Sequence, residues 1–220
     1  MSETGHHDTS GRTMDDLAQA VGEIIKRFDA MSTARDAAVT DGRQVVRLAA
    51  NAVRALHRGD DASALLADAR SLLASIREKS APYPNIYWAG YVQDAMKEYA
   101  EAEITAALLS GTPLPDAPGL QVEDAAWLNG LAEAASELRR DTLDALRQDE
   151  TARAEHLLAL MDAVYSVLVT VDYPDAVTSG LRRTTDQYRG VLERTRGDVT
   201  MSVRQSRLEH ALREAEGRLG

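Results

Sequence analysis

The sequence predicts an all-α protein, on three observations. Alanine, leucine, glutamate and arginine are abundant, and all four lose little side-chain entropy in a helix. β-Branched residues never gather into the alternating runs that a half-buried strand needs. Proline (six residues) and phenylalanine (one) are scarce. With 220 residues, 44% of them hydrophobic and 27% charged, the chain can bury a substantial core of ordinary globular composition.

The elements follow in order. Met1 to Arg12 is rich in Gly, Ser, Thr and His and reads as a disordered tail, 1–12, in which His6-His7 is either a metal pair or simply solvated. From Met14 onward Leu17, Val21, Ile24, Ile25 and Phe28 recur at helical spacing, and the same face resumes at Val45, Leu48, Ala52 and Leu56. Thr40-Asp41-Gly42 is a candidate interruption, but the shared face predicts one long N-terminal helix ending near Gly59. Asp60 or Asp61 caps a second helix carrying Leu65, Leu66, Leu72, Leu73 and Ile76. Pro82-Tyr83-Pro84 ends it, because proline lacks the amide donor and restricts the residue before it. A third helix is expected from about Ile86 to Ser110, and the Gly/Pro-rich stretch 111–119 is the longest loop. A fourth spans roughly Glu123 to Gln148 and a fifth roughly Thr151 to Thr170. Asp172-Tyr173-Pro174 punctuates, a sixth follows to about Arg196, and Gly197-Asp198 is expected to break it from a seventh, Thr200 to Arg218. Seven helices with mostly short connections predict one helical bundle over residues 13–220. The last helix has a thin apolar stripe, suited either to finishing the core or to meeting a neighbouring subunit.

Composition excludes several classes of function. There is no cysteine, so disulfides and thiolate metal sites are ruled out. No run of about 18 apolar residues is present, so no membrane partner is expected, and the polar start is unlike a secretory signal; a cytoplasmic protein is the expectation. A formal net charge of -10 argues against coating duplex DNA by bulk electrostatics, while leaving room for a local basic surface.

Two acidic pairs carry the candidate chemistry. Glu98 and Glu101 lie three apart, and Glu133 and Glu137 four apart, so each pair occupies one side of an Ala- and Leu-rich helix. Two such helices side by side would offer four carboxylates to one volume. Two unit charges about 4 Å apart repel by roughly 4 kcal/mol at an effective dielectric near 20. A hard divalent ion, Mg²⁺ or Mn²⁺, removes that penalty. Spacing alone also fits glutamates on a wet face with no function. Arg54, His57 and Arg58 form a basic group at the end of the long helix, with Arg182-Arg183 a second; either contacts phosphate or forms surface ion pairs. Tyr83, Tyr87, Trp88, Tyr91 and Tyr99 concentrate near one turn, suited to base stacking or to packing a helix junction. No nucleophile elbow, phosphate-cradling glycine loop or H-E-x-x-H motif is present.

The same residues resemble the translin/TRAX family, and its TRAX branch and prokaryotic members more than translin itself. The ordered series runs from Val46-Arg47-Leu48-Ala49 and Arg54 to Gly59 through Tyr91 to Ala102, then Trp127 to Arg140, Asp172-Tyr173-Pro174 and Leu181 to Asp186. It spans about Asp41 to Met201. The resemblance implies a seven-helix bundle of the translin type. It further implies assembly into closed homo-oligomers, commonly octamers, that enclose single-stranded RNA or single-stranded DNA. In TRAX a Mg²⁺-dependent endoribonuclease site is built from acidic residues on two inner helices. Glu98 and Glu101 match its E-Y-x-E-A motif and Glu137 its later glutamate, whereas Glu133 stands where TRAX has aspartate. The expectation is therefore a metal-dependent endoribonuclease with Glu98, Glu101, Glu133 and Glu137 as metal ligands and catalytic residues. Arg54, His57, Arg58, Arg182 and Arg183 would hold the strand. The alternative is a translin-type oligomer that binds single-stranded RNA or DNA without cutting it.

Overall fold

In the computed structural model, which describes residues 8–219, every regular element among those residues is a helix. The order is α1 (Asp8–Leu56), α2 (Ser63–Ser80), α3 (Pro84–Tyr87), α4 (Gly90–Ser110), α5 (Ala117–Leu120), α6 (Asp124–Arg147), α7 (Thr151–Leu168), α8 (Asp175–Thr178) and α9 (Leu181–Leu219). Six are long, and α3, α5 and α8 are single turns in the connections. His6-His7 lies outside the described residues. The tail expected to be disordered lies there only as far as residue 7, since α1 takes in the rest.

Both glycine-marked interruptions turn out to be helix interior, for one reason. Gly42 is buried where α1 meets α4, and a Cβ there would stand 3.2 Å from the Tyr91 carbonyl oxygen. The glycine permits close approach and does not end the helix. The break expected at Gly197-Asp198 is absent, so the expected sixth and seventh helices are one, α9. Before it, Thr195 accepts from Arg139 at 3.0 Å; after it, Asp198 pairs with Arg139 at 2.8 Å, and Val199 is buried with Ala145 and Ala154. Tertiary contacts on both sides of Gly197 outweigh its helix penalty of about 1 kcal/mol. The N-cap of α2 is Ala62 and not the expected aspartate; Asp61, one residue earlier, accepts from the Ser63 amide at 2.9 Å and from its hydroxyl at 2.9 Å.

The layers run α2, α1, α4, α6, and then α7 with α9. The core between them holds Met96, Tyr99, Ile104, Leu138, Met161 and Tyr188, all essentially fully buried. Several buried polar groups are paired: Tyr188 donates to the Met161 carbonyl at 2.6 Å, and Asn129 donates to Thr178 and accepts from Thr184, tying α6 to the α8–α9 junction, whereas the Thr105 and Thr185 hydroxyls have no partner among the described residues. The apolar positions that predict the start of α1 do not reach this core. Leu17, Val21, Ile24 and Phe28 remain exposed, as do Met201, Leu208 and Leu212 on the last turns of α9. No helix among the described residues is long and apolar enough to cross a membrane.

The tightest crossing is that of α4 with α6. A Cβ on Gly130 would come within 2.9 Å of both the Glu101 amide nitrogen and the Lys97 carbonyl oxygen, and within 3.0 Å of the Ala100 Cβ. Rigid backbone lies on the far side, so no side chain can yield. Gly130→Ala is expected to lower stability by about 1–3 kcal/mol through overpacking, despite alanine's better helix propensity, and urea denaturation would measure it.

Candidate metal centre

The backbone contact at Gly130 sets the acidic residues face to face. Glu98 and Glu101 project from successive turns of α4, and Glu133 stands three residues beyond the crossing on α6. One carboxylate oxygen from each of Glu98, Glu101 and Glu133 lies within 4.8 Å of the others. All three side chains are half-buried. The two sequence pairs are thus brought together, although the group that converges has three members.

Glu137, the fourth acid, is turned elsewhere. Its carboxylate accepts from His57 Nε2 at 2.7 Å, while His57 Nδ1 donates to Asp141 at 2.7 Å. The ring is only 2% exposed. Two carboxylates, one at each nitrogen, require both nitrogens to donate, which is the protonated imidazolium. The hydrogen bonds to Asp141 and then Glu137 accordingly push the His57 pKa up to about 9, against the opposing effect of burial. His57, expected to meet phosphate, has both ring nitrogens engaged with carboxylates. Its ring nitrogens are spent inside the fold, and it is a counter-charge to acids. Asp141 extends the row Glu133, Glu137, Asp141 at four-residue steps, the spacing of a single helix face.

Lys97 is the second internal cation. Its ammonium lies 3.1 Å from Glu98 Oε1, 2.9 Å from Glu133 Oε1 and 2.7 Å from Glu133 Oε2. Burial works against its charge, but the bonds and charges of Glu133 and Glu98 outweigh that and raise its pKa. Glu101 has neither kind of help. No hydrogen bond among the described residues reaches its carboxylate. Burial first, then the charges of Glu98, Glu133 and Glu137, push its pKa up to about 8, with Lys97 only partly offsetting them. Crowded carboxylates in a half-buried site fit a hard divalent cation: the donors are all oxygen, and Lys97 already stands in as a positive charge. A polar cleft of about 180 Å³ opens beside the acids, lined by Gln93, Lys97, Asn129, Glu133 and Thr184 among others.

The remaining site candidates lie on the surface. Arg54 is exposed and bonded to Asn51 at 2.7 Å, and Arg58 is exposed and paired with Asp60 at 2.8 Å. Arg54 lies in the last turn of α1, and Arg58 lies with His57 in the turn that follows it. Arg182 and Arg183 are exposed at the start of α9, where Arg182 pairs with Asp172 at 3.0 Å. The aromatic cluster divides. Tyr99 is core, accepting from Arg70 at 2.7 Å and donating to Glu103 at 2.6 Å. Tyr87 donates to Glu123 and packs edge-on against Trp88, which is exposed.

These pKa shifts fix how stability depends on pH. Glu101 is protonated in the fold up to about pH 8 but ionises near 4.5 when unfolded, so the fold binds the extra proton between those values. Stability must fall as pH rises through that window. His57 has the same sign: its contribution is complete below pH 6.5 and is lost as pH rises through about 9. The metal-free protein is expected to lose stability steadily from pH 5 to 9, and Glu101→Gln to flatten the lower part of that slope. Urea midpoints measured across the range test both.

Comparison with known proteins places this geometry. No family model matches the chain. An uncharacterized protein of Methanocaldococcus jannaschii is 25% identical over 206 residues, covering 92% of this chain and 90% of its own. C3PO of Archaeoglobus, solved in complex with duplex RNA, is 32% identical with a TM-score of 0.78, covering 86% of this chain and 98% of its own. A second crystal structure of that C3PO is 31% identical at the same TM-score, covering 86% and 99%. Apo C3PO of Nematostella, 16% identical with a TM-score of 0.75 over 83% and 96%, shares the fold. With nearly a third of its residues identical to the archaeal C3PO across most of both chains, this protein belongs to the translin/TRAX family.

Proposed function

We propose that the chain is a TRAX-type, metal-dependent endoribonuclease that holds Mg²⁺ or Mn²⁺ on Glu98, Glu101 and Glu133. The observation that carries this reading is the convergence of those three carboxylates, from two helices, within 4.8 Å. Bound there, a divalent ion supplies Lewis acidity to a phosphoryl oxygen and lowers the pKa of water. The protein's own residues do the rest. Glu101, which has no hydrogen-bond partner among the described residues, would meet the ion as a carboxylate alongside Glu98 and Glu133. Glu137, oriented by His57 and Asp141, completes the acidic wall one turn further along α6. Arg54 and Arg58, exposed in the last turn of α1 and in the turn that also carries His57, would hold the phosphate backbone, with Arg182 and Arg183 as a second contact.

RNA as the substrate rests on the archaeal relative, which was solved with duplex RNA; single-stranded RNA and single-stranded DNA remain in the proposal from the sequence resemblance. Assembly into a homo-oligomer is supported by the apolar faces left exposed at the start of α1 and the end of α9. Most helical stability in proteins comes from packing an amphipathic face, which these segments lack within one chain.

A second reading is a non-catalytic RNA-binding oligomer of the translin type. It is favoured by Lys97, which neutralises Glu98 and Glu133 without any metal. Incubating labelled single-stranded and duplex RNA with the protein and Mn²⁺, then with EDTA, separates the two. Cleavage that EDTA abolishes is expected; retention of intact RNA in Mn²⁺ would establish the binding reading instead. Glu98→Ala and Glu133→Ala should each reduce cleavage at least about a hundredfold while circular dichroism and oligomer size stay unchanged. Full activity in either variant removes that residue from the site.

A further inference from the structure

We propose that Lys97 is a built-in competitor for the metal: its ammonium holds two of the three ligand carboxylates in the metal-free protein and must be displaced for an ion to bind. The inference rests on the metal reading above and asks what keeps such a site intact when no ion is present. Lys97 Nζ contacts Glu98 at 3.1 Å and both oxygens of Glu133 at 2.9 and 2.7 Å. Those are the carboxylates that converge with Glu101. Magnesium binds oxygen at about 2.0–2.1 Å. An ion at that distance from Glu98 and Glu133 would press a dication against the ammonium, so the two cations exclude each other.

The surroundings allow an exchange. Lysine carries a compact charge on a flexible four-carbon stem. The polar cleft of about 180 Å³ is lined by Lys97 itself together with Gln93, Asn129 and Thr184, and it receives the displaced ammonium without burying it in apolar surface. Glu101 makes no hydrogen bond among the described residues, so its carboxylate is not committed to Lys97 and completes the three-ligand set with the two that Lys97 holds. Loading thus adds the ion's charge to the site and also turns the lysine charge outward, toward the cleft where a phosphodiester would approach.

Titration calorimetry with Mn²⁺ alone, on the full chain and on Lys97→Met, reads the effect. Removing a competitor worth one or two ion pairs should tighten Mn²⁺ binding roughly tenfold. At one fixed Mn²⁺ concentration the rise in melting temperature should also be larger in the variant, since stabilisation follows the ratio of ligand to Kd. Lys97→Arg keeps the competing charge and should show no gain. A lysine with a purely structural role would give the opposite pattern, a lower melting temperature with Mn²⁺ affinity equal to or weaker than wild type, and that result overturns the proposal. Should Lys97→Met not fold, Lys97→Gln, which also lacks the charge, carries the same comparison. Equal Mn²⁺ binding in wild type and variant refutes the competitor while leaving the metal reading intact; no Mn²⁺ binding in any form refutes both.

Discussion

The contact on which the site depends is backbone against backbone, where Gly130 of α6 lies on Lys97 to Glu101 of α4. Two helices carrying ordinary side chains at their crossing stand 8–10 Å apart, depending on what meets there. Here one partner has no side chain, and its place is taken by the main chain of the other helix. Side chains projecting just beyond such a crossing have little room to diverge, so Glu98, Glu101 and Glu133 share one small volume. Their proximity is a consequence of packing and needs no attraction among the acids themselves. It would persist even where their charges oppose it.

The fold then has to manage the repulsion it has created, and it does so with two cations of different kinds. His57 is buried between Glu137 and Asp141, and each ring nitrogen is fixed by one of them. An imidazole so held is rigid and cannot be exchanged for anything else. Lys97 sits on a long stem at the edge of a cleft, bonded to Glu98 and Glu133. One end of the acidic row is therefore permanently compensated and the other reversibly so. Glu101 lies between them with no hydrogen-bonded partner among the described residues, and the strain appears there as a raised pKa.

Much of this was legible in the sequence, because it depended on local spacing. Helix class, the proline breaks and the pairing of Glu98 with Glu101 and Glu133 with Glu137 all follow from periods of three and four. What escaped depended on residues far apart along the chain. Gly42 and Gly197 look like helix breakers by propensity, yet one is a contact point for α4 and the other is flanked by tertiary contacts. His57 beside Arg54 and Arg58 looks like part of a basic cluster. Its partners are 80 and 84 residues away, so only the fold reveals it as an acid's counter-charge. The apolar start of α1 has the pattern of a core face, and periodicity cannot tell a face that packs within the chain from one left for another surface.

Glu133 shows how these levels meet in one residue. The family resemblance implies aspartate at its position, and the longer side chain has one more methylene with which to reach. In this protein that reach is used: both its oxygens bond Lys97, and one also comes within 4.8 Å of Glu98 and Glu101. The position lies only three residues from Gly130, where α6 is pressed hardest against α4, so its backbone has little freedom to adjust. A substitution that looks conservative in charge therefore alters which atoms the carboxylate can touch, and the lysine opposite it sets the balance. The acidic site is best understood as one electrostatic unit, with the helix crossing as its rigid frame and Lys97 as its movable part.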